Sequence, residues 1–313
     1  MAYQLGRRER VFDGIRRIVI EELRAARKNL SESHPSNETR IHAARKSIKK
    51  VRAIVAAVDA AGGRGTTRSG KRLRDVNRVL SPLRDLDAMT KTLARLREIY
   101  PTMFSEHAFG RIRRNLLTQR QRVMESTRAR GLWKEVNRKI QRLPREVRAW
   151  RSSTRGFTLL ARGVRESQQE GRRRLARALV SQQAADFHAW RKQVKKLWYL
   201  LRLLEWAGYR VRRDVKALGR AEECLGDAHD MGTLCTELSM EPDLFSSDAE
   251  RLRFRRAIED LRVGLHVKAI ASTKRIFRQR PQRYVRNVKS VWHEGRSQRR
   301  ATTTRSHPER KLA

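Results

Sequence analysis

The sequence has few of the residues that sheets, disulfide frameworks and membrane spans require. Its two cysteines, Cys224 and Cys235, lie eleven positions apart without a CxxC pair, so neither a zinc site nor a disulfide framework is expected. Seven prolines, 17 glycines and 6% aromatic residues favour helices over sheets. No run approaches about eighteen apolar residues, and the basic N-terminal stretch lacks the apolar segment of a signal peptide. We therefore expect a cytoplasmic chain without a membrane span.

Acidic residues are also scarce. The 313 residues include 74 Lys and Arg against 33 Asp and Glu, which gives a formal net charge of +41. Such an excess opposes compaction through self-repulsion and favours binding of a polyanion. Nucleic acid, polyphosphate and an anionic membrane surface all fit this charge. The 39% of hydrophobic residues is nevertheless enough for a core, so wholesale disorder is not expected.

Apolar residues recur at helical spacing along almost the whole chain. In the N-terminal half the pattern predicts helices over 11–32, 38–60, 68–79, 83–99, 105–128 and 131–150. In the C-terminal half it predicts helices over 157–180, 184–206, 211–224, 229–239, 247–279 and 282–293. We expect a break at His34–Asn37, with Ser36 or Asn37 capping the next helix, and a kink or break at Pro144. The predicted fold class is all-α.

Two segments of the chain repeat each other. Residues 41–58 read IHAARKSIKKVRAIVAAV and residues 187–204 read FHAWRKQVKKLWYLLRLL, with apolar positions at the same spacing in both. Each copy is followed about forty residues later by a second related segment, LSPLRDLD at 80–87 and LGDAHDMG at 225–232. Two motifs in the same order at nearly the same separation predict two related helical bundles. We place the first bundle at 1–150, the second at 151–294, and a basic disordered tail at 295–313.

Each repeated helix carries a basic stripe. An α-helix advances about 100° per residue, which places His42, Arg45 and Lys49 on one face, away from the apolar positions. Such a stripe suits a linear anion with closely spaced charges, since lysine offers compact charge and arginine a bidentate fork. Two other interpretations stay open. The stripe is a solvated face, or Arg45 or Arg191 pairs with Asp85 or Asp230 and holds the bundles together.

These residues resemble the CHAD family, the conserved histidine α-helical domain. The signature is a His-x-x-Arg helix with a following basic pair, then Leu-Gly-x-x-Arg/His-Asp, once in each of two four-helix bundles. The resemblance covers the chain to about residue 293 and implies binding of inorganic polyphosphate in a central cavity, on polyphosphate granules. The Glu-x-Glu-x-Lys signature of the triphosphatase domain fused to some members is not found. The resemblance therefore implies a binding module that is not an enzyme and needs no metal or cofactor.

Carried over by motif, the resemblance implies a set of polyphosphate-binding residues. In the first half these are His42, Arg45, Lys46, Lys49, Lys50, Arg52 and Arg84. In the second half they are His188, Arg191, Lys192, Lys195, Lys196 and His229. Arg84 and His229 are the weaker members, because the aspartate that follows each is expected to tie it to the scaffold. The chain departs from the family pattern at Ser81, usually Gly, and at Trp198, usually basic.

Two alternative functions remain. A nucleic-acid-binding protein would use the same charge, and non-specific binding at low salt is expected, although no recognised nucleic-acid motif is found. A metal-dependent phosphohydrolase would need clustered carboxylates. The nearest candidates are Asp85 with Asp87, and Asp227 with His229 and Asp230. These acids are expected at helix starts, where acidic residues also serve as caps.

Overall fold

The computed structural model describes residues 3–30, 38–102 and 104–304. Within these ranges the chain forms ten α-helices. The first five are α1 (Val11–Asn29), α2 (Glu38–Ala60), α3 (Thr66–Ile99), α4 (Glu106–Ala129) and α5 (Leu132–Arg148). The others are α6 (Thr158–Ser181), α7 (Ala184–Arg202), α8 (Tyr209–Ser239), α9 (Asp248–Arg278) and α10 (Pro281–Thr304). The all-α prediction is confirmed. None of the described helices is both long enough and apolar enough to cross a membrane.

Three predicted helix boundaries are wrong. Pro82 does not divide the helix, because α3 runs through it from Thr66 to Ile99, with Leu80 and Leu83 buried on either side. Proline removes one backbone hydrogen bond, and here burial of the flanking leucines offsets that loss. Residues 211–224 and 229–239 likewise belong to one helix, α8. The last helix continues to Thr304, past the predicted end at 293 and into the segment 295–313.

Two of the sequence predictions concern places where the chain was expected to bend or break. Pro144 lies inside α5, which is continuous from Leu132 to Arg148. The predicted break at His34–Asn37, with its capping residues, lies outside the described residues, as does the end of the tail at 305–313.

Cys224 and Cys235 are free thiols.

The helices pack in two neighbouring groups. In the first, α2 lies between α1 and α3, and α5 packs against α1 and α3. In the second, α7 lies between α6 and α8, and α9 packs against α8 and α6. The groups meet where α2 contacts α6 and α7 and where α3 contacts α8. Both hydrophobic cores take side chains from either side of residue 150, and the division into bundles at that residue stays a prediction.

The apolar positions of the repeated helices face these cores. In the first copy, Ile41, Ala44, Ile48, Val51, Val55 and Val58 are all buried. In the second, Phe187, Trp190, Val194, Leu197, Leu201 and Leu204 are all buried. The predicted apolar seam is therefore confirmed in both copies. Because the seam fixes the rotation of each helix, it also fixes which residues can point away from the core.

Candidate functional site

The two repeated helices, α2 and α7, line one cavity together with α3 and the middle of α8. Its volume is about 640 Å³. Nine lysine and arginine side chains line it, against the carboxylates of Asp59 and Asp85. The Asp59 carboxylate already accepts hydrogen bonds from the hydroxyls of Thr66 and Thr67, at 2.8 and 3.0 Å. The cavity wall is therefore strongly cationic and suited to an anion.

Most of the residues predicted for the site line this cavity. From the first half of the chain the lining includes Arg45, Lys49, Arg52 and Arg84. From the second half it includes His188, Arg191, Lys192, Lys195, Lys196 and His229. The cations come from both copies of the motif, so the fold brings two sequence-distant stripes into one space.

Three predicted residues do not line the cavity. Lys50 lies on another side of α2, where its ammonium group contacts Glu22 at 2.5 Å and the ring of Tyr3. His42 and Lys46 are exposed at the N-terminal end of the stripe. Burial and the nearby charges of Arg84 and Lys49 lower the pKa of His42. His42 therefore remains within electrostatic reach of the cavity, whereas Lys50 is held by the scaffold.

The two halves of the cavity differ in one carboxylate. In the second half, Glu222 on α8 accepts a hydrogen bond from Arg191 at 3.0 Å and another from Lys195. Glu222 lies three residues before Leu225 in the second motif segment, and the matching position, three residues before Leu80, is Asn77. Arg45 accordingly finds no carboxylate there. It donates to the Asn77 carbonyl at 3.0 Å and to the Ser81 hydroxyl at 2.7 Å.

Lys49 has no counterion among the described residues. The structure shows no ion pair or hydrogen bond between its ammonium group and another described residue. Burial and the charges of Lys195 and Arg45 lower the pKa of Lys49 to about 6. Burial also lowers the pKa of Lys195, but the Glu222 carboxylate opposes that shift. Without a bound anion, Lys49 is therefore only partly protonated near neutral pH.

The two cavity histidines contact each other through their rings, which are tilted by 34°. The rings of His188 and His229 have centroids 4.2 Å apart, and Nδ1 of His188 is buried without a hydrogen-bond partner. Burial and neighbouring His229 lower the pKa of His188 to about 4. Burial and Arg191 lower the pKa of His229 as well. The lowered pKa values favour the neutral form of both rings near neutral pH, and an anion would favour their protonated forms.

An ion pair joins the two halves at the cavity wall. Arg84 on α3 donates to Asp230 on α8 through both terminal nitrogens, at 2.9 and 3.0 Å, and to the adjacent Asp85 at 3.3 Å. Burial lowers the pKa of Arg84, but the Asp230 carboxylate outweighs burial and raises this pKa above its ordinary value. The alternative interpretation, in which Arg45 or Arg191 pairs with Asp85 or Asp230, is not what the described residues show. Arg84 forms this link, and it crosses between the two helix groups.

The carboxylates considered for a metal site do not converge. Asp87 accepts from Arg120 at 2.5 Å, Asp227 from Arg95 at 2.6 Å, and Asp230 from Arg84. The expectation that they lie at helix starts is also wrong, because they lie within α3 and α8. Among the residues that the structure describes, no group of three His, Cys, Asp or Glu side chains could hold a metal ion.

Sequence reasoning missed the residues that set the charge balance of the cavity. Arg74 on α3 lines the cavity beside Arg52, but its repeat position in the second half is Gly219, so repetition gave no signal. Glu222 and Asn77 sit at matched positions of the second motif segment, one turn before its first leucine. That difference is visible by alignment, although only the fold shows that these positions face Arg45 and Arg191.

Comparison with known proteins identifies the family. The profile of the CHAD domain matches residues 17–239, more than two thirds of the chain. The chain belongs to the CHAD family. Among solved structures, the CHAD domain from the plant Ricinus communis is similar, at 17% sequence identity and a TM-score of 0.44, over 94% of this chain and 93% of that one. No curated protein matches the chain.

The CHAD match includes both repeated helices and both second motif segments. It begins within α1 and ends at Ser239, the last residue of α8. All of the residues that line the cavity lie inside this range. The cavity is therefore part of the CHAD domain itself, whereas α9 and α10 lie beyond the matched residues.

Proposed function

We propose that this CHAD protein binds inorganic polyphosphate in the cavity between α2 and α7 and acts as a binding module, not as an enzyme. The observation that carries the proposal is that cations from both repeated helices line one cavity in which Lys49 lacks a counterion. A linear chain of phosphates supplies closely spaced charges to several cations at once. We also propose that such binding places the protein on polyphosphate granules in the cytoplasm, with no metal or cofactor required.

The depth of the cationic groups favours a thin polyanion over a duplex. The side chains of Arg191 and Lys195 are only 12% and 21% exposed, within a cavity of about 640 Å³. Duplex DNA presents phosphates on a rigid cylinder whose major groove alone is about 12 Å wide, so it can contact the rim but not these groups. A polyphosphate chain has no bases and can enter.

The competition experiment tests the proposal directly. Labelled long-chain polyphosphate bound to the full chain is titrated with unlabelled polyphosphate or duplex DNA at equal phosphate concentration and near-physiological salt. We expect polyphosphate to displace the label and DNA to displace little, because DNA binds only through exposed charge. Displacement by DNA at the same phosphate concentration overturns the polyphosphate assignment.

Deleting residues 305–313 separates the cavity from the C-terminal basic segment. The deletion removes Arg305, Arg310 and Lys311 and leaves every described helix intact. We expect polyphosphate affinity to fall by less than about threefold, since charges that do not take part in a defined site are screened at this salt. A loss as large as that caused by substitutions in the cavity means diffuse electrostatics and contradicts a defined site.

Polyphosphate affinity is expected to rise as the pH falls from 8 to 6. The pKa of Lys49 is about 6 in the empty cavity, and bound phosphate raises it, so binding takes up a proton. Proton uptake by one group strengthens binding about tenfold per pH unit above the pKa of the free form. Calorimetry in buffers of different ionisation enthalpy measures the proton uptake. Long-chain polyphosphate is used because its terminal phosphates, which also titrate in this range, are then few.

The Lys49→Arg variant is the control for this pH dependence. Arginine stays protonated at every pH used, so the slope of affinity against pH should become shallower while binding at pH 6 is retained, and the remaining slope reports His188 and His229. A wild-type affinity that does not change between pH 8 and pH 6 would contradict the proposed role of Lys49.

A further inference from the structure

A second group of arginines surrounds the turn between α9 and α10, outside the CHAD cavity. Arg210 and Arg213 at the start of α8, Arg275 near the end of α9, and Arg283 on α10 line a depression of about 370 Å³. The carboxylate among its described lining residues is Asp214, which is buried. Asp214 accepts hydrogen bonds from Arg275 and, at 3.1 Å, from the hydroxyl of Tyr284. One carboxylate therefore faces four guanidinium groups.

The floor of this depression is fixed by hydrogen bonds within the protein. The buried Gln168 donates to the carbonyls of Ile276 and Gln279, both at 3.0 Å. Arg172 also donates to the Gln279 carbonyl, at 3.1 Å, and the Gln279 side chain accepts from Asn287 at 3.0 Å. The turn is thus held in one conformation before any ligand binds, which lowers the entropy cost of binding.

The remaining arginines of the depression lack counterions. Arg210 and Arg283 form no hydrogen bond or ion pair with another residue in the described part of the chain, and Arg213 contacts only the ring of Tyr209, at 5.8 Å. Burial and repulsion from Arg213 and Arg210 lower the pKa of Arg275. Uncompensated cations gathered around a rigid floor raise the free energy of the empty protein, and an anion would relieve that repulsion.

The depression continues along the same turn. Arg278, Arg280 and Arg286 line an adjoining hollow that shares Gln279 and Arg283 with it. Arg283 and Arg286 are three residues apart, or about 4.5 Å along the axis of α10. Guanidinium groups at such spacing suit phosphates that follow each other closely, and each fork can bind two phosphate oxygens.

We propose that this depression, called the groove below and lined by Arg210, Arg213, Arg275 and Arg283, is a second polyphosphate-binding site. We also propose that the protein joins separate polyphosphate segments through it. The inference rests on the proposed function of the cavity. On α8, Arg213 and Glu222 are nine residues apart and therefore on opposite faces of the helix. Arg213 also lies about 24 Å from His229 along the helix axis. A segment bound in the cavity cannot fill the groove, so two segments are held on opposite sides of α8.

The test compares three variants of the full chain. The groove variant is Arg210→Gln, Arg213→Gln and Arg283→Gln, which leaves the Arg275 pair with Asp214 intact. The cavity variant is Lys49→Gln with Lys195→Gln. The control variant is Arg220→Gln, Arg253→Gln and Arg256→Gln, three exposed arginines outside both sites with the same loss of charge. Melting curves check that each variant is folded.

Two measurements are made at near-physiological salt. Light scattering with long-chain polyphosphate reports cross-linking, and calorimetry with tripolyphosphate, which is too short to reach both sites, reports the number bound. We expect the groove variant to scatter at least tenfold less than the control variant and to bind fewer tripolyphosphate molecules. We expect the tripolyphosphate molecules that the groove variant still binds to have the affinity of the cavity in the wild type.

The outcomes separate this inference from the proposed function. Equal scattering and equal stoichiometry in the groove and control variants would overturn the second site. The same holds if the groove substitutions weaken binding of single-stranded RNA but leave polyphosphate unaffected, since the groove would then belong to nucleic acid. If polyphosphate binding is lost in the groove variant and unchanged in the cavity variant, the groove stands and the proposed function of the cavity fails.

Discussion

The Lys49→Gln, Lys195→Gln variant is expected to bind polyphosphate in the cavity about a hundredfold more weakly than the wild type at pH 7. A hydrogen bond to a charged group contributes about 1.5 kcal/mol, and two such losses correspond to about two powers of ten in affinity. Lys49 comes from α2 and Lys195 from α7, so the variant removes one cation from each repeated helix. Glutamine keeps a polar group of similar length. Fluorescence anisotropy with labelled polyphosphate measures the change.

A matched variant separates this loss from a change in net charge. Lys134 and Lys268 are exposed and lie outside the cavity, and their replacement by glutamine removes the same two charges. We expect that control to bind within about threefold of the wild type, because exposed charges are screened. Equal weakening in both variants would mean that the cavity is not the binding site.

The thermal stability of the single variant Lys49→Gln distinguishes lost binding from lost folding. Lys49 is half-buried and has no counterion among the described residues, so glutamine at this position removes the protonated form that Lys195 and Arg45 repel. The melting temperature of the free protein should therefore stay the same or rise while the affinity falls. A lower melting temperature would show that the lost binding comes from damage to the fold.

The Glu222→Gln variant is expected to lose about 3 kcal/mol of stability without ligand and to bind polyphosphate about tenfold more tightly. Glu222 is 13% exposed and accepts from both Arg191 and Lys195, so its removal leaves two buried cations unpaired. The same change frees both cations for phosphate, since the carboxylate occupies them in the empty cavity. Urea unfolding measures the first effect and anisotropy the second.

The sign of the Glu222 effect on stability follows from its pKa. Burial raises the pKa of this carboxyl, but Lys195 and Arg191 outweigh burial and hold it below the ordinary value. A depressed pKa means that Glu222 stabilises the fold above the unfolded pKa, and that this contribution is lost as the pH falls through the folded pKa. The difference in stability between wild type and Glu222→Gln should therefore shrink in acid.

Two further variants test whether Glu222 competes with polyphosphate for the cations of the cavity. Glu135→Gln removes a half-exposed carboxylate that pairs with Lys139 and does not line the cavity, and it should change neither stability nor affinity measurably. Asn77→Glu places a carboxylate at the matching position beside Arg45 and should weaken polyphosphate binding about tenfold, by the same competition. If Glu222→Gln binds no more tightly than the wild type, Glu222 does not compete with the ligand.

The helical fold and the rotation of its repeated helices could be predicted from the sequence because both depend on local spacing. Apolar residues at intervals of three and four define the seam of α2 and α7, and every predicted seam position is buried. The wrong predictions came from local signals that packing overrode. Pro82 read as a helix break, yet Leu80 and Leu83 are buried on both sides of it within one continuous helix.

Within the basic stripes, the sequence determined which residues can point away from the core, because a helix has a fixed period. It did not determine which of them meet an anion. Lys50 and Lys196 occupy matching positions, but Lys50 contacts Glu22 and Tyr3, whereas Lys196 lines the cavity. The counterions decide this, and they come from helices distant in sequence.

The sequence by itself thus determined an all-α chain with a duplicated basic helix and an excess of positive charge. Only the tertiary structure decided that α2 and α7 share one cavity and that Arg84 joins the two halves through Asp230. It also decided that Glu222 pairs with Arg191 and Lys195, while Lys49 has no partner among the described residues. The physical reason is that helical periodicity fixes a side chain relative to its own axis. The charge, pKa and partners of that side chain depend on which other helices the packing brings within a few ångströms.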